Sequence, residues 1–133
     1  MATYALDSFA LIAYFRDEKG AALVEKLMIK GAQVQQPLYM CEVNYAEAKY
    51  MILRKHGKSA WDSAASILSS LPIQFFPADR HLSDMAAQFK AKHRLSLADA
   101  FAASLAKAQR AYLVTGDLEF KVLEKVIKIK WLS

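Results

Sequence analysis

Cysteine is almost absent: Cys41 is the one cysteine in 133 residues. A lone cysteine closes no internal disulfide and reads as a small apolar residue in a reducing compartment. Histidine is scarce as well, and His56, His81 and His93 do not stand at metal-ligand spacing. Together these shortages exclude a zinc site of the Cys/His kind. A metal bound here would need carboxylate ligands, which select hard ions such as Mg²⁺ or Mn²⁺. Long apolar runs are missing too. None approaches the roughly 20 residues that a membrane-spanning helix needs. No basic stretch followed by an apolar one opens the chain, so no secretion signal is expected and the expected location is the cytoplasm. Repeats, low-complexity segments and linkers are also lacking. The three prolines, Pro37, Pro72 and Pro77, all fall where the pattern changes.

What remains is a globular composition. Apolar residues make up 55% and charged residues 23%, which places the chain far from the disordered class. Residues 1–133 are enough for a single domain with a real core. The net charge of +5 leans toward a polyanionic partner.

Strand-like and helix-like segments alternate along the chain. Tyr4 to Leu6 reads as a strand ended by Asp7-Ser8, and Leu11, Ile12 and Phe15 follow at helical spacing. A helix is expected over 17–30 with Gly31 just past its end, then a weak strand at Val34. Pro37 is expected to open a long helix over 37–55, with Tyr39, Val43, Ala46, Tyr50 and Leu53 as its apolar stripe. Ser59-x-x-Asp62 resembles a capping box, and Pro72 stops the helix it starts. An apolar strand over 73–76 and a helix from Ala78 or Asp79 follow. That helix ends in Lys90, Lys92, His93 and Arg94, which either complement its dipole or form a rim for phosphates. Alternating strands and helices predict an α/β domain with a mainly parallel sheet and helices on both faces. Near the end, Ile127, Ile129 and Trp131 alternate with Lys128 and Lys130, the pattern of a half-exposed edge strand.

Residues 95–120, LSLADAFAASLAKAQRAYLVTGDLEF, carry the most chemistry. Ser96 caps a helix with Asp99 three residues on, a strand runs from Tyr112 to Val114, and Thr115-Gly116-Asp117 breaks it. Asp7 and Asp117 both follow strands, so both fall at the sheet edge where open α/β folds keep their sites. Each acid also has a plain structural part. Asp7 fits a helix N-cap, Asp99 half of a capping box, and Asp117 a cap for the next turn. In the 37–55 helix, Glu42 and Glu47 flank opposite edges of the apolar stripe, and periodicity does not choose between them. The helix dipole alone would account for an acid at Glu42.

S-x-x-D-A, an alanine-rich helix and a strand ending T-G-D-x-x-F resemble the C-terminal signature of PIN-domain nucleases. That family also has an Asp after its first strand, here Asp7, and a Glu in a mid-chain helix, aligned through N-x-x-E with Glu47. The resemblance spans residues 4–131 and implies a three-layer α/β/α fold. It implies a catalytic and metal-binding set of Asp7, Glu47, Asp99 and Asp117, holding one or two Mg²⁺ or Mn²⁺ ions that assist phosphodiester hydrolysis. Ser8 and Thr115 would orient ligands or water behind that set, and both also fit the simpler part of satisfying backbone at turns. An acidic cleft needs a basic surround to hold RNA, and Lys49, Arg54, Lys55, Lys92, Arg94 and Lys121 are the candidates. Small PIN proteins of this kind are typically VapC-like toxins. The resemblance therefore implies an RNA substrate, an antitoxin partner, a homodimer and no membrane. A housekeeping PIN nuclease in RNA processing, or a non-catalytic PIN-like binding module, are the alternatives. A HAD-like phosphatase would need a second acid after Asp7, where Ser8-Phe9 stands. A receiver domain would need a lysine after the late strand, which Thr115-Gly116-Asp117 does not supply.

Overall fold

A computed structural model describes residues 1–132. Five strands build one sheet: β1 (Tyr4–Leu6), β2 (Leu38–Cys41), β3 (Ile73–Phe76), β4 (Tyr112–Thr115) and β5 (Ile129–Trp131). Their order is β3-β2-β1-β4-β5, and all four pairings are parallel. The helices are α1 (Ser8–Arg16), α2 (Ala21–Gln33), α3 (Glu42–His56), α4 (Lys58–Leu68), α5 (Arg80–Lys92) and α6 (Leu97–Ala108), with a 3-10 turn at Leu118–Leu123.

An all-parallel sheet must be covered on both faces. Alternate strand residues divide accordingly. Ala5, Cys41 and Leu113 pack with Leu82, Phe89, Phe101, Leu105 and Phe120 from α5, α6 and the 3-10 turn. Leu6, Leu38 and Val114 pack with Ala10, Val24, Leu27 and Met28 from α1 and α2. Met40 extends the second face to Leu11 and Ala48, and Ile52, Trp61 and Ala64 then join α3 to α4. The alanines of α6 let that helix lie close over the sheet centre, so residues Asp99 to Ala106 are buried all round. The result is three layers, α/β/α.

The register sets the site. Leu6 pairs with Val114, so Asp7 emerges beside Thr115, and the Asp7 N–H donates to the Val114 carbonyl at 3.4 Å. β2 and β3 lie on one side of β1, β4 and β5 on the other. The connections therefore part at β1 and β4 and open a crevice at their carboxyl ends.

Three expectations are corrected. Residues 38–41 are a central strand, not the start of a helix, and α3 begins at Glu42. Backbone pairing with both β1 and β3 overrides the helical spacing that the apolar side chains suggested. The buried stripe of α3 is accordingly Asn44, Ala48 and Ile52, while Tyr50 is exposed. Val34 caps α2 rather than forming a strand, and Gly31 lies inside that helix. There Gly31 gives close passage to the chain: a Cβ would stand 2.8 Å from the Gln36 carbonyl. Asp62 does not take part in a capping box. It pairs with Lys58 at 2.8 Å, one turn back, in a helix capped without a side chain. The expected edge strand is found as β5, with Lys128 and Lys130 exposed on either side of Ile129. Among the described residues no helix is long and apolar enough to cross a membrane.

Candidate functional site

Asp7 is 1% exposed and fully engaged. One carboxylate oxygen accepts the Ala10 N–H at 2.8 Å and so caps α1. The other accepts the Thr115 hydroxyl at 2.5 Å. The same hydroxyl oxygen accepts the Asp117 N–H at 3.0 Å, so Thr115 joins the ends of β1 and β4. Asp117 caps the 3-10 turn by accepting the Glu119 N–H at 3.0 Å. Gly116 between them makes room for the Phe9 ring: a Cβ there would stand 2.4 Å from it, and the ring would have to shift. On α6, the Ser96 hydroxyl accepts the Asp99 N–H at 3.1 Å and does the capping. Glu47, from α3, accepts a hydrogen bond from the Ser8 hydroxyl at the start of α1.

These side chains meet in one cleft of about 350 Å³, lined by Asp7, Ser8, Glu47, Asp99 and Asp117 and also by Glu18 and Glu119. Carboxylate oxygens of Asp99, Asp117 and Glu119 all lie within 4.8 Å of one another. The crowding acts on the protons. Burial pushes Asp7 up from 3.8 to about 7, with the Thr115 and Ala10 hydrogen bonds opposing and the charges of Asp99 and Asp117 adding. Burial likewise pushes Asp99 up to about 6, helped by the charges of Asp117, Glu47 and Glu119 and opposed by the Ser96 hydroxyl. Both values rise first because burial penalises the charged form and second because neighbouring carboxylates repel it. An all-oxygen donor set of this density fits a hard divalent ion.

The structure thus gathers the four acids expected from the sequence, with Ser8 among them and Thr115 buried behind. It separates Glu42, which is exposed at the first turn of α3 and does not line the cleft. Of the basic candidates, Lys55 lines the cleft. Lys49 lies over the Trp61 ring at 5.5 Å and Arg54 over Tyr50 at 5.4 Å. Arg94 shares a shallow depression with Leu118 and Glu119 at the cleft's flank. Lys92 lines a different depression beside Lys107, and Lys121 is exposed on the 3-10 turn. The sequence reading missed Glu119, Glu18 and His56 as cleft residues. For Glu119 a signal existed: it stands two residues after Asp117, and a cap that bonds its N–H brings both side chains to one end of the turn.

The chain belongs to the PIN domain family, whose sequence model matches residues 4–126. No curated protein matches it in sequence. Among solved structures it is similar to VapBC2 from Rickettsia felis, bound to a DNA fragment from its promoter, with 18% identity over 97% of this chain and 98% of that one and a TM-score of 0.75. It is also similar to DNA-bound VapBC from Salmonella typhimurium, with 14% identity over all of both chains and a TM-score of 0.76. A third is VapC20 from Mycobacterium tuberculosis, a toxin that cleaves the sarcin-ricin loop, with 13% identity over 94% of this chain and 96% of that one and a TM-score of 0.70. At these identities the likeness is one of fold.

Proposed function

We propose that the chain is a divalent-metal-dependent endoribonuclease and the toxin of a toxin–antitoxin pair. The observation that carries the reading is the convergence of Asp7, Glu47, Asp99 and Asp117 in one cleft at the switch point of a PIN-domain sheet. Asp99, Asp117 and Glu119 would hold Mg²⁺ or Mn²⁺, one ion or two, with Asp7 and Glu47 completing the donor set. A bound ion supplies Lewis acidity to the phosphodiester and an activated water.

The remaining work belongs to the chain. Thr115 fixes Asp7 and the Asp117 backbone relative to each other, and Ser8 holds the Glu47 carboxylate. Phe9 lies against Gly116 and walls the cleft. Lys55 and His56 put positive and polar groups on its rim, where an RNA phosphate would approach the acids. Arg94 extends that rim along the flank, and Lys49, Arg54, Lys92 and Lys121 lie farther out, as steering charge. A cytoplasmic homodimer bound to an antitoxin completes the reading. The solved structures it is similar to include VapBC2 of Rickettsia felis and VapBC of Salmonella typhimurium, and a basic antitoxin side chain would neutralise the same acids.

Purified protein incubated with single-stranded RNA should cleave it with Mn²⁺ or Mg²⁺ and stop in EDTA. Glu47→Gln should abolish cleavage and Glu42→Gln should spare it. Cleavage that continues in EDTA removes the metal-dependent mechanism. Co-expression with a neighbouring antitoxin gene should give an inactive complex, whereas harmless expression with no such gene favours a housekeeping nuclease.

A further inference from the structure

Asn44 is fully buried at 0% exposure, in a stripe otherwise made of Ala48 and Ile52. Its amide nitrogen donates to the Ala98 carbonyl at 3.0 Å, and its carbonyl oxygen meets no donor among the described residues. The acceptor side of its carboxamide is thus left unpaired in a buried place. As an adhesive for the fold it is poor, because an apolar side chain of the same size would lose nothing comparable. Its position is what sets it apart. Asn44 stands one turn before Glu47 on α3, and Ala98 directly precedes Asp99 on α6. That hydrogen bond is the one side-chain bond recorded between these two helices among the described residues.

We propose that Asn44 is a positioning residue of the cleft: its carboxamide clamps the helix that carries Glu47 to the first turn of the helix that carries Asp99, and so sets the spacing of the two carboxylates. The inference rests on the metal-dependent reading above. Asn44 touches neither substrate nor ion. It acts through Glu47 and Asp99, as groups behind a ligand shell do, where substitution costs about tenfold to a hundredfold in metal affinity. Asn44→Leu removes the clamp and keeps the branched shape of the side chain, so metal affinity and fold stability should separate.

The test is Mn²⁺ titration by calorimetry and thermal melting in EDTA, with RNA cleavage beside them, on the full chain. Wild type, Asn44→Leu, Asn44→Ala and Val24→Ala are compared. Val24 is buried on α2, away from the cleft, and reports on lost packing alone. The expected result is that Asn44→Leu melts at or above wild type while its Mn²⁺ dissociation constant rises by about tenfold to a hundredfold. Val24→Ala should melt lower with its Mn²⁺ affinity unchanged. If Asn44→Leu is too bulky to fold, Asn44→Ala is read the same way. Wild-type Mn²⁺ affinity in folded Asn44 variants overturns the inference and leaves the nuclease reading standing. Failure of both variants to fold overturns it as well, since the amide would then be holding the fold. Wild type that neither binds Mn²⁺ nor cleaves RNA overturns the nuclease reading first, and the inference with it.

Discussion

Asp7 shows how one residue serves two masters. It caps α1 and stands buried among other acids, and the second circumstance governs its proton. Its pKa is raised above the unfolded value, so the folded state holds a proton that the unfolded chain releases. Stability from that proton is fully present below about pH 4 and is lost as the pH rises through about 7. A rise from 3.8 to about 7 corresponds to about 4 kcal/mol when the loss is complete. Asp99, raised to about 6, adds a loss of the same sign. Metal-free protein should therefore melt higher at about pH 5 than at about pH 8, against the usual trend for paired carboxylates. Asp7→Asn, which keeps a capping side chain, should flatten most of that dependence. Equal slopes for the two proteins in EDTA would show that Asp7 is ionised in the fold.

At the scale of elements, three helical starts deliver the site: Asp7 opens α1, Ser96 opens α6 and Asp117 opens the 3-10 turn. Such starts are readable because a cap is a matter of a few adjacent residues, and S-x-x-D and T-G-D sit where they were expected. The β2–α3 junction was not readable. Tyr39, Val43, Ala46, Tyr50 and Leu53 repeat as a helix does, yet Leu38–Cys41 pairs with strands distant in sequence. Local spacing carries no trace of that pairing. Asn44 was missed for the same reason, since its partner Ala98 lies far away in sequence. The caps also make a contrast testable. Ser96→Ala should lower stability by about 0.5–2 kcal/mol and also weaken Mn²⁺ binding, because Asp99 hangs on that first turn. Asp79→Ala removes the cap of α5, where Asp79 accepts the Leu82 N–H at 2.9 Å, and should cost similar stability with Mn²⁺ binding intact. Calorimetric titration of both variants decides whether the Ser96 cap matters to the cleft or to the helix alone.

For the molecule as a whole, the charge is divided. The chain carries +5 overall, yet the cleft at the strand ends is lined by six carboxylates, from Asp7, Glu18, Glu47, Asp99, Asp117 and Glu119. A polyanion would be drawn to the surface and repelled by the cleft unless cations intervene. Lys55 stands where the two regions meet. Lys55→Gln should weaken RNA binding regardless of sequence and reduce the salt slope by about 1, measured by filter binding or anisotropy across a salt series in Ca²⁺. An unchanged slope would place the phosphate path elsewhere, along Arg94 for example.

The central claim is that these acids form one metal site and not a set of helix caps that happen to be neighbours. The measurement that tests it most directly is a thermal melt of wild type and Asp99→Asn at neutral pH, in EDTA and across a Mn²⁺ series. Both proteins should fold in EDTA, because Ser96 and not the Asp99 carboxylate caps α6. Wild type should gain about 2.7 kcal/mol when Mn²⁺ reaches a hundred times its dissociation constant, and Asp99→Asn should gain much less at the same concentration. Equal stabilisation of both proteins by Mn²⁺, or of neither, would contradict the account.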